Sequence, residues 1–423
     1  MLTVHVLHIR TFQENAFARR VVFFLEFVSN YGGSGYDCPR CLFWECQQIE
    51  WYELLGAVTT ELDRRLDICP GRFDGLKHRK TWPDFWQYTR LVDSYTWRDF
   101  TCNSDIVPAF AGIATLTAKS FRGGILYGLP VLFFDVALLW NPDRTSSMRR
   151  LDATVDESNR PPSWSWMTWH GDLDLFLWSF ASSVTTYGVC STMVISPLIQ
   201  WYSFGAEGAL IAIESEYCKY KHFAQDGEST PPPGWSRTVP PSSSSDIHEK
   251  HCYITPYAPE KRFRFPIPLV DPSYSEIPMP MPTSNRITCQ TERAHLYLSG
   301  LSTDKRGRTY SLILDVEESY SGIIPVSKNA LESCFRTSEA DTEIRIELIA
   351  ISTGSIEESD DRYVGYFQEY NRPEHQNVGR MYEFYNVLWI EWTDGVAYRK
   401  GLGRVTKPAW EAADRELIDV VLG

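Results

Sequence analysis

Apolar side chains recur at helical spacing between residues 81 and 118. The first set lies at intervals of three or four positions and consists of Phe85, Tyr88, Val92 and Tyr95. Thr81 and Pro83 precede it, and both residue types are common where helices begin. A second set follows Ser104 or Asp105, either of which can cap a helix that carries Pro108 in its first turn. Its buried stripe would consist of Ala109, Ile113 and Leu116. The pattern predicts two amphipathic helices.

The last third of the chain alternates apolar and polar residues with the period of two that is typical of β-strands. The alternating stretches are residues 294–301, 309–316, 344–352 and 386–392. Lys305-Arg306-Gly307 and Asp394-Gly395 are typical turn sequences between such stretches. A short helix over residues 408–415 is expected to close the chain. These signals predict a mainly antiparallel β region.

Residues 175–206 contain no charged side chain. A transmembrane helix needs about 20 mostly apolar residues, so a span over residues 175–199 is one interpretation. Serine and threonine interrupt the stretch repeatedly, Pro197 would break a helix, and the β-branched and aromatic content suits buried strands. We therefore expect strands and no membrane span.

Proline and serine dominate several segments between residues 225 and 286, among them TPPPGW, PPSSSSD and IPMPMP. Such a composition buries little apolar surface, which predicts a linker or a surface excursion. The segregation of helical and strand patterns predicts an α+β fold. Its expected parts are a helix-rich middle region at 51–150, a Trp-rich β segment at 151–224, this Pro/Ser-rich segment, and a β-rich region at 287–423.

Composition narrows the function classes. The chain has 423 residues, of which 43% are hydrophobic and 22% charged, as is ordinary for globular proteins. Its net charge is −13 and its basic residues are dispersed, which argues against a nucleic-acid surface. Residues 1–24 do not read as a secretory signal, and ten cysteines are too few for a disulfide scaffold. We expect reduced thiols and a cytoplasmic location.

The one metal-ligand pattern is CPRC, in which Cys38 and Cys41 are spaced like half of a zinc site, with Cys46 five residues on. The second Cys-x-x-Cys pair of a structural zinc site does not occur in the sequence. Free thiols are the expectation, and a zinc ion held by these cysteines is the alternative. No cofactor is expected.

Asp172 and Asp174 could serve as the paired carboxylates of a glycosidase, and His170 lies beside them. Alternation along a strand brings two carboxylates to one face without any catalytic purpose, and a histidine next to Gly171 is typical of a turn or a core. The sequence contains no Gly-x-Ser-x-Gly, no His-Glu-x-x-His and no phosphate-binding loop. It therefore favours a non-enzymatic protein.

Three tryptophans follow a double proline in RPPSWSWMTWHGDL, residues 160–173. Pro161 and Pro162 favour extended backbone, which predicts that Trp164 and Trp166 lie on one face of an extended segment. Tryptophan buries a large apolar area with few rotatable bonds. That property suits a protein core, a protein interface or a sugar-binding platform, so residue chemistry leaves all three open.

Several ordered blocks resemble the fungal heterokaryon-incompatibility (HET) domain family. They are residues 11–14 (TFQE), 20–23 and 42–46 (LFWEC), then 85–114, 124–140, 160–173 and 385–405. The run at 160–173 is the most specific match. The residues that match the family's motifs are Thr11, Gln13, Glu14, Phe43, Trp44, Glu45, Ser104, Asp105, Pro108, Pro162, Ser163, Trp164, Ser165 and Trp166.

The chain also departs from the family. The family's two opening blocks do not occur, and Arg10 stands where the family usually has a tryptophan. The resemblance implies that residues 1–50 are the C-terminal remnant of a truncated α/β HET domain. It further implies that the middle region and the C-terminal region follow that remnant.

The resemblance implies a role in fungal non-self recognition and programmed cell death, exerted through a protein partner. The family's effector fold is distantly similar to Toll/interleukin-receptor domains, some of which cleave NAD. Glu14 alone does not carry such an activity, and the missing blocks favour a non-catalytic recognition or regulatory module. In that module, Trp164, Trp166 and Trp169 are expected in the core that joins the helical part to the β-rich part.

Two alternatives stay open. A carbohydrate-binding or carbohydrate-active protein would explain the 15 tryptophans and 22 tyrosines, because sugar rings stack on aromatic faces. A nonfunctional gene fragment would explain the missing blocks.

Overall fold

The computed structural model describes residues 20–25, 41–46, 50–54, 85–100, 103–118, 120–121, 123–143, 146–149, 160–181, 194–215, 231, 234–238, 252–256, 259, 262, 284–303, 309–325, 344–357 and 381–423. The chain divides into two compact units. The first comprises residues 1–80 and 98–101, and the second comprises residues 81–97 and 102–423.

The first unit contains a three-stranded antiparallel sheet. Its strands, in spatial order, are β1 (Arg20–Leu25), β2 (Cys41–Cys46) and β3 (Glu50–Leu54). Phe23 of β1 pairs with Phe43 of β2, and Trp44 of β2 pairs with Trp51 of β3. The sheet crosses the boundary expected at residue 50, and the α/β character expected for residues 1–50 stays a prediction.

The second unit begins with the two helices that the apolar periodicity predicted. They are α1 (Phe85–Thr96) and α2 (Ile106–Ala118), and a 3-10 turn at Asn103–Asp105 leads into α2. The predicted stripe of α1 is buried along its whole length, as is Ile113 of α2. A shorter helix, α3, spans Phe134–Ala137. The helix-rich character expected for the whole of residues 51–150 stays a prediction, since residues 55–84 lie outside the described residues.

Three two-stranded antiparallel ladders fold the chain back on these helices. β4 (Ile125–Leu126) pairs with β5 (Leu129–Pro130). The other two ladders join β6 (Asn141–Pro142) to β9 (Leu173–Asp174), and β7 (Ser147–Met148) to β8 (Trp169–His170). The Trp-rich run is thereby held against the segment that contains α3.

The charge-free stretch forms a 3-10 helix at Phe176–Ala181, then β10 (Val194–Pro197) and β11 (Tyr202–Phe204). β12 (Leu210–Ala212) follows and pairs with β11. In the described part of the chain, no helix has the length and apolar character that crossing a membrane requires. Strands in this stretch were expected.

Part of the Pro/Ser-rich segment is ordered in a way that its composition did not predict. β13 (Ser236–Thr238) and β14 (Cys252–Ile254) form an antiparallel ladder. Trp235 and Tyr253 beside this ladder are buried, because large aromatic side chains can anchor a short excursion. Most of residues 225–283 lie outside the described residues.

The C-terminal region is built on long antiparallel strands, which confirms its predicted β character. They are β15 (Ile287–Thr303), β16 (Thr309–Leu314), β17 (Tyr320–Pro325), β18 (Ile344–Glu357), β19 (Met381–Thr393), β20 (Val396–Thr406) and β21 (Arg415–Leu422). Asp394 and Gly395 join β19 to β20 with φ of 50° and 75°, as the predicted two-residue hairpin turn requires.

These strands close into a barrel. Neighbours follow the order β18-β19-β20-β17-β16-β15, and residues 293–298 of β15 pair in turn with residues 344–349 of β18. β21 pairs with residues 287–294 of β15, while β10 extends β18 and β11 extends β15. Closure removes the open edges that an extended sheet of this length would expose.

The barrel interior is filled by apolar side chains that alternate along the strands. The buried cluster comprises Ala294, Leu296, Leu298, Ile313, Ile324, Ile346, Leu348, Ala350, Val387, Trp389, Val405 and Trp410. Trp410 comes from α4 (Lys407–Ala412), which Thr406 caps by accepting a bond from the Ala409 amide. The predicted final helix is therefore present, but the expectation that it closes the chain is wrong, since β21 follows it.

Candidate functional site

The Trp-rich run forms a turn, and the prediction that it is extended is wrong. The Ser165 amide donates to the Pro162 carbonyl at 2.9 Å, which closes a turn around Ser163 and Trp164. A 3-10 turn at Trp166–Thr168 follows, and the Ser165 hydroxyl accepts from the Met167 amide at 3.1 Å. Because this serine can bond its own backbone, the chain bends where the prolines alone predicted extension.

The bend sends the two tryptophans into different surroundings. Trp166 packs edge-on against Tyr95 and Phe110, at 5.9 and 5.3 Å between ring centroids. Trp164 packs edge-on against Tyr127 and Phe134. Both indoles are fully buried, and Trp169 is nearly so. Of the three roles left open by the sequence, the tryptophans of this run therefore have that of a protein core.

Gly128 anchors this core. The Trp166 indole N–H and the Tyr88 hydroxyl both donate to the Gly128 carbonyl at 2.7 Å. Gly128 has φ of +79°, and a Cβ there would lie 2.7 Å from the Trp166 ring. The position therefore requires glycine for its backbone conformation and for its close approach to the indole.

Ser163 connects the Trp-rich run to the barrel. Its hydroxyl accepts from the Arg399 amide of β20 at 2.9 Å and donates to the Gly423 carbonyl. The Ser163 amide also donates to Gly423, at 3.0 Å. A single side chain thus bridges two parts of the barrel that are far from it in sequence.

Arg399 makes the second connection, and no sequence pattern pointed to it. Its guanidinium is buried, donates to the Leu138 carbonyl at 2.8 Å and to the Trp140 carbonyl, and lies 4.1 Å from the centre of the Trp140 ring. Burial lowers the pKa of Arg399 to about 9, which leaves it charged at neutral pH. A cation suits the carbonyls just past the C-terminus of α3.

Asn141 completes the junction between α3 and β20. Its side-chain amide donates to the Leu402 carbonyl and its side-chain oxygen accepts from the Leu402 amide, both at 3.2 Å. The Asn141 side chain therefore satisfies the backbone N–H and C=O groups of Leu402, as a neighbouring strand would. Four of the blocks that carry the family resemblance, at 85–114, 124–140, 160–173 and 385–405, meet in this one core.

The other residues that match the family's motifs are not part of this core. Ser104 and Asp105 lie in the turn before α2, with Pro108 in the first turn of that helix, as predicted. Phe43, Trp44 and Glu45 lie on β2 in the first unit. Thr11, Gln13 and Glu14 lie outside the described residues.

The acidic pair near the tryptophans serves local structure. Asp172 accepts from the Trp97 indole N–H at 2.8 Å, and Asp174 accepts from the Phe176 amide at 3.0 Å. The ring of His170 packs edge-on against Trp97. Asp172 thus fixes the Trp97 indole, and Asp174 fixes the backbone at Phe176.

The described residues test only part of the alternative zinc site. Cys41 and Cys46 are the two ends of β2, and five residues of strand span about 17 Å, which is too far for two ligands of one ion. Cys38 lies outside the described residues. Among the residues described, no group of three His, Cys, Asp or Glu side chains is placed to hold a metal ion.

A separate polar groove lies on the outer face of the barrel. Ala294 and Leu296 face the interior, so Arg293 and His295 between and beside them face outward. The groove measures about 470 Å³ and is lined by His295, Ile344, Arg345, Ile346, Glu347, Trp389, Ile390, Glu391 and Trp392. Sequence reasoning missed it, because its side chains come from three separate strands.

Glu347 organises the groove. One of its oxygens accepts from the Trp392 indole N–H at 2.8 Å and from Arg293 at 3.1 Å, and the other lies 3.7 Å from the His295 ring. Hydrogen bonds from Arg293 to Glu416 and Glu347 raise the pKa of that arginine further. Glu391 pairs with Lys400 at 2.7 Å. The groove therefore combines one exposed indole with positively charged hydrogen-bond donors and negatively charged acceptors.

Comparisons of the chain with models of known protein families, with curated proteins and with solved structures find no match.

Proposed function

We propose that this protein is a non-catalytic recognition module related to the fungal HET proteins, acting in non-self recognition and programmed cell death through a protein partner. The observation that supports this proposal is the convergence of the resembling blocks in one core. The resemblance rests on blocks that are separate in sequence. Tyr88 and Trp166 both donate to the Gly128 carbonyl, and Arg399 donates to Leu138, which belongs to the same block as Gly128.

The core also supports the non-catalytic part of the proposal. Trp166 and Tyr88 are buried and bonded to one carbonyl, and Ser163 and Arg399 are bonded to backbone groups. Side chains used in this way hold two layers together and present no group to a substrate. A rigid junction between the helical layer and the barrel suits a protein that transmits the binding of a partner.

The proposal predicts a genetic phenotype. Two otherwise identical fungal strains, with and without this gene, are each fused with a panel of other strains, and death of the fused cells is scored with a vital dye. We expect the deletion to abolish death in at least one pairing. A Trp166→Ala allele should behave like the deletion, because loss of a buried tryptophan costs about 3 to 5 kcal/mol. Val316→Ala, at an exposed position, should behave like wild type.

Identical death in every pairing, with and without the gene, would contradict the recognition role. The non-catalytic part has a separate test, in which the purified protein is incubated with NAD and the remaining NAD is quantified. We expect no consumption beyond that of a heat-denatured sample. Turnover by the native protein would show that it is an enzyme.

A further inference from the structure

We propose that the outer groove of the barrel binds a neutral saccharide. Trp392 supplies the platform. Its side chain is 38% exposed, and its indole N–H is fixed on Glu347 at 2.8 Å. Since the Trp392 ring is already held in place, its side chain loses little conformational freedom when a ligand stacks on it.

The rim charges favour an uncharged ligand. Arg345 is exposed at the groove, and Glu347 and Glu391 contribute carboxylates beside it. An anionic ligand would meet these two carboxylates, and a cationic ligand would meet Arg345. A sugar hydroxyl both donates and accepts hydrogen bonds, so a polyol can use acidic and basic side chains together.

The groove has the dimensions of a small-molecule site. Its volume of about 470 Å³ falls inside the range of about 300 to 1,000 Å³ that is usual for ligand pockets. Its walls combine an aromatic face with several convergent polar groups, which can fix the orientation of a ligand. A short oligosaccharide therefore fits better than a folded protein surface.

The strand pairing argues against an extended peptide. Peptides that bind a sheet commonly add a strand to an open edge. At the groove, Glu347 of β18 is paired with His295 of β15 on one side and with Ile390 of β19 on the other. No edge is open at this position, so a ligand must bind through side chains.

The test is isothermal titration calorimetry of the full chain with maltotetraose, cellotetraose, laminaritetraose, chitotetraose and mannotetraose as separate probes. We expect at least one to bind with a Kd below about 1 mM, and Trp392→Ala to weaken that binding at least about tenfold. Arg345→Gln should weaken it severalfold, because it removes a charged donor at the rim.

Trp97→Ala is the matched control. Trp97 is also exposed, at 52%, and its indole N–H is likewise bound by a carboxylate, that of Asp172, but it does not line the groove. We expect this variant to bind the saccharide as the wild type does. Thermal unfolding of all three variants verifies that each is folded.

Three results of the saccharide titrations would overturn the proposal. They are the absence of heat with all five saccharides, binding that survives Trp392→Ala in a folded variant, and equal loss with Trp97→Ala. Trp392-dependent binding to an array of peptides, without saccharide binding, would assign the groove to a peptide and would also overturn it. The cell-death test is independent, because it fails or succeeds whatever the groove binds.

Discussion

At the scale of single residues, the core depends on positions where a side chain is excluded or where a charge is unfavourable. Gly128 is the first kind, because its carbonyl receives two hydrogen bonds while its α-carbon lies against the Trp166 indole. Asp135, in the first turn of α3, is the second kind, because burial raises its pKa to about 6. Each position gives a testable consequence.

Gly128→Ala should destabilise the protein by about 2 to 4 kcal/mol. The left-handed backbone costs roughly 1 kcal/mol with a side chain present, and the overlap with Trp166 adds about 1 to 3 kcal/mol. Gly208 is a matched control, since it has φ of +77° but no atom within 4 Å of an added Cβ. Urea unfolding of both variants measures the difference. Equal losses of stability in both variants would show that the contact with Trp166 does not contribute to the destabilisation.

Asp135→Asn should alter how stability depends on pH. The folded-state pKa lies above the ordinary value of 3.8, so the stabilisation from the protonated carboxyl is complete below about pH 4 and is lost as the pH rises through 6. The shift corresponds to about 2 to 3 kcal/mol.

We therefore expect the variant to be more stable than wild type at pH 7.5, and this advantage to disappear near pH 4. Urea unfolding at both pH values, with exposed Asp105→Asn as control, measures the effect. If the stabilities of the wild type and Asp135→Asn changed in parallel with pH, the Asp135 carboxyl would not be the cause of the pH dependence.

At the scale of elements, the helical layer and the barrel are joined by polar contacts between α3 and β20. Arg399→Met should lower the free energy of unfolding by about 2 to 4 kcal/mol. The substitution leaves the carbonyls of Leu138 and Trp140 without their donors. Lys400→Met, one residue on but in an exposed ion pair, should cost less than about 1 kcal/mol.

Hydrogen exchange locates the effect. Amides at residues 138–141 should lose protection in Arg399→Met and keep it in Lys400→Met. Loss spread evenly over the second unit would contradict a local junction, since it would indicate general destabilisation.

The elements also show what the sequence could predict. α1 and β18 were predictable because each carries a full period of apolar residues on one face. β21 was not, because its charged beginning, Arg415 and Glu416, resembles the end of the preceding helix. Arg399 was missed because VAYRKG is typical of an exposed strand, and only the fold places its guanidinium against Trp140.

At the scale of the whole molecule, the site was harder to predict than the fold. Tryptophan content left three roles open for the Trp-rich run, and its core role was expected only with the family resemblance. Its bend depends on Ser165, whose hydroxyl bonds the chain locally. The groove assembles from β15, β18 and β19, and register between strands that are about 50 residues apart cannot be derived from period alone. Long-range pairing is therefore the information that a single sequence lacks.

The junction around Ser163 and Arg399 has a consequence for synthesis. Arg399 bonds Leu138 across 261 positions, and Ser163 bonds Gly423 across 260. At about 5 to 20 residues per second, a ribosome needs roughly 13 to 50 seconds to make the second partner after the first. During that interval Trp166 can already pack against Tyr95 and Phe110, but Leu138 and Ser163 lack their partners. The junction between the helical layer and the barrel can therefore close only after β20 and β21 have been synthesised.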